Sequence, residues 1–382
     1  MSIYLDYNAS APVDPRVLSV MVDAYQNHFG NADSRTHDFG EDVRSITETA
    51  RKQVADLLGV KNDEVFFTSG ATESNNIAIL GLRQIGKAEN RKHIITSSVE
   101  HKAVLGAAKF LSENGFEVEY VDPDESGRVE PERVISMVRP DTLLVSLMHV
   151  NNETGIIQPV KELGDYLSKT ETLFHIDATQ SCGKLVEEIR DLHYDLMSIS
   201  AHKMHGPQGI GALIMRKKRY RLPPVKPIMF GGGQEHGIRP GTLPTALIAG
   251  FGEACVIAER EAAQNNAKCR EIKKQLLELL EKSGVRYEIN GDQDYCVPTT
   301  LNVSFLGVSS EALMLATKQY CGVSNGSACT SSSYSHSHVL SAMHLSDKRI
   351  ESAIRISWGS EVSSTDINQA VKKLLSTVET FN

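Results

Sequence analysis

Positive charge is in short supply: 40 lysines and arginines face 48 aspartates and glutamates, giving a formal net charge of −8. Such a surface repels phosphate backbones, which sets aside direct binding of nucleic acid. The basic stretch Arg216-Lys217-Lys218-Arg219-Tyr220-Arg221 reads as a solvated loop edge and not as a binding patch. Long apolar runs are also missing. No segment approaches the roughly 18 uninterrupted apolar residues of a membrane span, so no membrane partner is expected. The opening MSIYLDYNAS has neither the basic nor the apolar stretch of a secretory signal, and the expected compartment is the cytoplasm. The 6 cysteines are scattered without a C-x-x-C pair, which in a cytosolic chain means reduced thiols, most of them small buried hydrophobes. Internal repeats and low-complexity tracts are absent too. No Gly-Lys-Ser/Thr follows a glycine-rich turn, and Gly231-Gly232-Gly233 lacks the G-x-G-x-x-G spacing of a dinucleotide site.

What is present is alternation. Short apolar runs at Val65–Thr68, His93–Thr96, Leu143–Ser146, Leu173–Ile176, Asp195–Ile199 and Gly211–Met215 read as buried strands, with helical stretches such as Glu41–Leu58 and Lys102–Asn114 between them. This pattern predicts an α/β fold with a mostly parallel sheet covered by helices on both faces. From about residue 250 the texture changes. A long polar helix is expected over 253–282, then a half-exposed strand at Thr300–Phe305 and another at Ala353–Ser357. The division this suggests is a large domain over 12–255 and a smaller α+β domain made of 1–11 and 256–382. The Ser-rich segment Cys329–Ser337 is the expected mobile loop.

In parallel sheets, ligands sit beyond the carboxyl ends of the strands, and three segments there carry chemistry. Thr68-Ser69-Gly70-Ala71-Thr72 leaves a strand through a glycine turn into a helix, whose free N–H groups, with the Ser69 and Thr72 hydroxyls, suit a phosphate. Asp177 ends an apolar strand in His175-Ile176-Asp177-Ala178-Thr179-Gln180. A desolvated carboxylate there needs a partner: a cationic ring nitrogen, of the kind that makes pyridoxal phosphate an electron sink, or the backbone of a turn that it caps. Lys203, between a buried strand and Gly206-Pro207-Gln208-Gly209, is a candidate Schiff-base lysine, with Ser200 and His202 beside it as phosphate donors. His202 and His205 have no third ligand close in sequence, so no metal site is expected.

Phosphate cradle, aspartate and lysine, in that order at successive strand ends, are what a fold-type I pyridoxal-phosphate enzyme requires. From Tyr4 to Gly359 the chain resembles cysteine desulfurases of the NifS/IscS type, within the class V aminotransferase-like family. The resemblance rests on Thr68–Ser74, Glu100-His101-Lys102-Ala103-Val104, His149–Gly155, Asp177–Ser181, His202-Lys203, Gly241-Thr242-Leu243-Pro244 and Gly326-Ser327-Ala328-Cys329-Thr330-Ser331. It implies pyridoxal 5'-phosphate as cofactor, held by Gly70, Ala71, Thr72, Asn152, Asp177, Gln180, Ser200, His202 and Lys203, with His101 stacked on the ring and relaying protons. Gln180 would meet the ring's phenolic oxygen, and Thr242 would reach the phosphate of a neighbouring subunit, which implies an obligate homodimer. Asn31, Asn152 and Arg355 would hold the substrate, Arg355 taking its carboxylate through a planar fork. Lys203 would take the Cα proton of L-cysteine and the Cys329 thiolate would take its sulfur, leaving a persulfide and L-alanine. Small residues on both sides of Cys329 suit a mobile arm, whereas an ordinary surface cysteine in a Ser-rich loop would show unexceptional reactivity.

The sequence departs from that family's pattern in three places. Ala201 stands where a glycine is common before His-Lys, Ser335-His336-Ser337 replaces Glu-Pro-Ser, and Gly359-Ser360-Glu361-Val362 replaces Gly-Arg-Thr-Thr. His336 and His338 read as solvated loop histidines, with metal binding beside Cys329 the competing reading. The chain ends at Asn382, short of the tail with which such relatives dock an iron–sulfur scaffold. The expected partner is therefore a sulfur-acceptor protein in iron–sulfur assembly, tRNA thiolation or DNA phosphorothioation. The competing activities on this scaffold are selenocysteine lyase, another lyase and aminotransferase.

Overall fold

A computed structural model describes residues 2–325 and 336–381. Its strands are β1 Ile3–Tyr4, β2 Val65–Thr68, β3 His93–Ser97, β4 Glu117–Val121, β5 Thr142–Met148, β6 Leu173–Asp177, β7 Leu196–Ser200, β8 Gly211–Met215, β9 Tyr287–Ile289, β10 Thr300–Phe305, β11 Cys321–Gly322 and β12 Ala353–Ser357. Seven of them form the main sheet in the order β2-β8-β7-β6-β5-β3-β4. Pairing is parallel from β7 through to β4, while β8 is antiparallel to both of its neighbours. Because β2 opposes β8 and β8 opposes β7, β2 runs the same way as β7. The carboxyl ends of β2, β3, β5, β6 and β7 therefore share one edge, and that edge carries the chemistry.

The central strands are buried along their whole length. Their apolar side chains divide between two cores. On one side Val145, Ile176, Met197 and Ile199 pack with Leu57 and Leu58 of the helix Asp38–Leu58 and Phe251 of the helix Thr245–Lys282. On the other Leu144, Leu196 and Leu213 pack with Ile77 and Val104 from the helices Ala71–Leu80 and Lys102–Glu113. A sheet covered on both faces needs no polar alternation, which is why its strands read as continuous apolar runs. β4 is the exception. It is one of the two edge strands, its Glu117 and Tyr120 are exposed, and the Glu-x-Glu-Tyr pattern hid it from the sequence reading.

A third core joins Leu5 to Leu276, Val303, Ile356, Trp358 and Leu374 around the three-stranded sheet β12-β10-β9. β10 corrects an expectation. It is fully buried rather than half-exposed, because it lies between two partners and its polar face is satisfied internally. Asn290 Nδ2 donates to Asn302 Oδ1 at 2.7 Å, and Ser304 Oγ donates to Arg349 O at 2.7 Å. The long helix is also longer than expected. Thr245–Lys282 begins in the apolar run Ala246–Gly252, which packs against the helices Pro15–Asn27 and Asp38–Leu58, and it passes unbroken through 255/256. The strand β9 is a further element the sequence reading missed. Among the described residues, no helix is long and apolar enough to cross a membrane.

Candidate active site

The shared strand edge opens into a cavity of about 550 Å³. Gly70, at the amino end of the helix Ala71–Leu80, has φ 146°, a conformation that side chains resist. Opposite it, a Cβ on Gly211 would stand 2.8 Å from Gly70 Cα, so the turn and the start of β8 pass too closely for larger residues. The first-turn N–H groups of this helix have no acceptor within the helix and face the cavity end lined by Thr72, Ser200 and His202. Ser69 also lines the cavity, and its backbone N–H donates to Glu73 Oε2 at 2.5 Å. Glu73 in turn accepts from Arg239 Nε at 3.0 Å, tying the segment before Thr242 to the cradle. Burial and Lys203 push the His202 imidazole down to about 4, in that order of effect, so the ring is neutral and accepts or donates at Ser10 Oγ, 3.3 Å away.

Asp177, at the end of β6, is 3 % exposed. Its Oδ2 accepts from Asn75 Nδ2 at 2.8 Å and its Oδ1 from Thr179 N at 3.0 Å and Thr179 Oγ1 at 2.5 Å. The turn-capping reading is met by Thr179. The hydrogen-bond donors to Asp177 are neutral, and among the described residues no basic side chain forms an ion pair with this carboxylate in the cavity wall. Asn75, three residues beyond Thr72 in the same helix turn, was missed as its partner. The signal was the helical spacing that points Asn75 back under the cradle.

His101 caps the helix Lys102–Glu113, with Nδ1 accepting from Ala103 N at 3.1 Å. An accepting Nδ1 places the proton of the neutral ring on Nε2. Burial is the main force lowering its proton affinity, with Asp177 opposing and Lys203 assisting. Just before it, Glu100 is wholly enclosed, and burial pushes its carboxyl up to about 8.

Lys203 follows β7 through a single 3-10 turn. Its Nζ donates to Asn8 O at 2.5 Å and to Ala9 O at 2.7 Å. Gln180 Nε2 donates to the same Asn8 O at 2.9 Å, and Asn8 Nδ2 reaches Asn152 O at 3.2 Å. Asn8 thus organises the cavity floor, although nothing in MSIYLDYNAS marks it in sequence. Arg355 of β12 is 4 % exposed, and its guanidinium donates to Asn152 O at 2.8 Å and Asp6 Oδ1 at 2.6 Å, leaving buried Nε without a partner among the described residues.

Gly70, Ala71, Thr72, His101, Asn152, Asp177, Gln180, Ser200, His202, Lys203 and Arg355 therefore line one cavity. Asn31 does not: it is exposed and turns its Oδ1 to Asp33 N at 3.0 Å. Thr242 is exposed and outside the cavity of its own chain. Cys329 lies outside the described residues. His205 contacts Pro12 O at 3.0 Å and Glu361 at 3.1 Å. His338 contacts Glu100 O at 2.9 Å, and His336 faces Asp347 and Glu351.

The profile for aminotransferase class-V matches residues 3–369. The chain belongs to the class-V aminotransferase family. This class-V chain is 45% identical to the cysteine desulfurase IscS of Vibrio cholerae over 375 residues, 97% of the chain and 91% of that relative. The solved structure of a NifS-like protein superposes with a TM-score of 0.92 at 36% identity, covering 100% of both chains. That of SspA in complex with cysteine superposes with a TM-score of 0.82 at 36% identity, covering 93% of this chain and 98% of the other. Membership implies pyridoxal 5'-phosphate, and the donor set fits it: a buried carboxylate without an ion-pair partner among the described residues, an amine after the neighbouring strand, and a helix amino end, all lining one cavity.

Proposed function

We propose that the protein is a cysteine desulfurase that converts L-cysteine to L-alanine and carries the released sulfur as a persulfide on Cys329. The observation that carries this reading is the Asp177 carboxylate on β6, without an ion-pair partner among the described residues, lining the same cavity as the Lys203 amine after β7 and the buried Arg355 fork. Pyridoxal 5'-phosphate, which Lys203 would hold, would supply an electron sink for the α-carbon of a bound amino acid.

The chain's own groups account for the rest. The first turn of the helix Ala71–Leu80, with Thr72, Ser200 and His202, holds the phosphate by N–H and hydroxyl donors. Asp177, braced by Asn75 and Thr179, keeps a ring nitrogen cationic, and Gln180 offers an N–H to the phenolic oxygen. Arg355, held flat by Asp6 and Asn152 O, presents its fork to the substrate carboxylate. Asn152 lines the substrate's side. His101, neutral and carrying its proton on Nε2, is suited to stack and to pass a proton. Lys203, as a free amine, would take the Cα proton. The Cys329 thiolate would form an S–S bond with the substrate Sγ as the Cβ–Sγ bond breaks; Cβ takes up a proton, Lys203 returns one to Cα, and the product leaves as alanine.

Two features support a homodimer. Thr242 has no role in its own cavity, and Phe29 and Phe230 are 72% and 83% exposed, apolar surface that a second copy would cover. The recipient is a sulfur-acceptor protein, and the net charge of −8 favours a protein recipient over direct contact with nucleic acid. The test is mass analysis of the Cys329 peptide after exposure to L-cysteine without reductant. The wild type gains one sulfur atom there and Cys329→Ser forms no alanine. Full alanine formation by Cys329→Ser overturns the reading.

A further inference from the structure

Behind the Gln180 side of the active site lies a second cavity of about 240 Å³, between the strand-end turn 181–184 and the small-domain segment Trp358–Glu361. The Lys184 amine is in its wall. It donates to Gln180 Oε1 at 3.3 Å, and its main-chain carbonyl is fixed by Asn266 Nδ2 of the long helix at 2.6 Å. Among the described residues no carboxylate forms an ion pair with this cation, although Glu261 and Glu361, with the cations Lys203 and Lys268, line the same cavity. The Cys269 thiol favours its charge and the Arg355 guanidinium repels it. A half-buried lysine that makes no ion pair among the described residues and spends its amine on a side-chain amide needs a reason.

The Gln180 amide supplies one. A primary amide is nearly symmetric in shape but not in chemistry, having an acceptor at one end and two N–H donors at the other. Here Oε1 meets the Lys184 ammonium and Nε2 meets Asn8 O at 2.9 Å. Turning the amide over would set its NH₂ against an ammonium and its oxygen against a carbonyl, which is unfavourable at both ends. In the observed orientation one N–H is used on Asn8 O and the second remains for the cavity. We propose that Lys184 is a positioning residue: by holding Gln180 Oε1, it keeps the Gln180 N–H turned toward the phenolic oxygen of the cofactor. Burial pushes the Lys184 amine down to about 8, so it still carries its proton at neutral pH.

This inference rests on the reading of Gln180 as the contact to that oxygen, and the test separates the two. The readout is the pH midpoint of the holoenzyme's visible absorbance band, which reports the balance of charge between the phenolic oxygen and the lysine linkage. An N–H donated to the oxygen stabilises its anion and lowers the midpoint. Gln180→Leu is expected to raise it by about one pH unit, the effect of one hydrogen bond to a charged atom. Lys184→Met is expected to raise it by a smaller amount, Lys184→Arg to restore it, and Lys184→Met to add nothing on top of Gln180→Leu. A midpoint unmoved by Lys184→Met overturns the proposal. So does full additivity in the double variant, since the cation would then act directly through its field. A midpoint unmoved by Gln180→Leu instead refutes the reading of Gln180. Should the methionine variant not fold, the Gln180 side-chain ¹⁵N signal of the wild-type holoenzyme is followed across the loss of the Lys184 proton near pH 8. A signal that moves with that proton supports the coupling; one blind to it overturns the proposal.

Discussion

Replacing Glu100 by glutamine tests the burial physics on which the site is built. The Glu100 side chain is wholly enclosed next to His101; its Oε1 accepts from Ser97 Oγ at 2.7 Å and Met148 N at 2.8 Å, while its Oε2 has no partner among the described residues. Burial is the chief cause that raises its carboxyl from the usual 4.5 to about 8, the two donors oppose it, and Asp177 adds to it. The folded chain therefore keeps this proton through a pH range in which the unfolded chain releases it. Where the folded value is the higher one, the stabilisation is complete below the unfolded value and is lost as pH rises toward the folded value. The loss is about 1.4 kcal/mol per pH unit, on the order of 5 kcal/mol between roughly pH 4.5 and pH 8. Glu100→Gln removes the titration. Urea unfolding of the wild type and the variant across that range is expected to diverge, the variant gaining steadily on the wild type as pH rises. A constant offset from the new amide leaves that slope intact. Parallel stability curves would falsify the assignment of a buried, protonated Glu100.

Arg355→Met strips donors from Asp6 Oδ1 and Asn152 O. It is expected to cost about 3 kcal/mol in urea unfolding and about a hundredfold in kcat/KM for L-cysteine, because a bidentate carboxylate partner is lost. Asp177→Asn keeps the size of the side chain but removes its charge; alanine formation should fall by about a hundredfold or more while the far-UV spectrum stays. Ser337 Oγ donates to buried Glu153 at 2.5 Å and accepts from Leu340 N at 3.1 Å. Ser337→Ala therefore loses a helix cap and leaves a carboxylate oxygen short of a donor, a loss of about 2 kcal/mol readable as a lower urea midpoint.

The strand ends were legible because burial on both faces writes continuous apolar runs, so Thr68, Asp177 and Ser200 could be located as the residues where those runs stop. What lies one step further was not. Glu117–Val121 is a strand by virtue of its neighbour β3, not of its own Glu-rich composition. Thr300–Phe305 alternates not between core and solvent but between an apolar core and an enclosed polar layer of Asn290, Asn302 and Ser304. Asn8 acts largely through its carbonyl, which any residue would supply, so no side-chain pattern reveals it. Lys184 matters through the far end of a side chain that crosses to Gln180, and spacing alone does not show where that end meets its partner. Asn31, read as a substrate contact, lies outside the cavity of its own chain, and its Oδ1 accepts from Asp33 N.

The most direct measurement of the central claim is a product balance. The purified protein, loaded with pyridoxal 5'-phosphate and given L-cysteine with a thiol reductant, is predicted to release alanine and sulfide in equal amounts, and Lys203→Ala to release neither. Pyruvate with ammonia in place of alanine, or products undiminished in Lys203→Ala, would contradict the account.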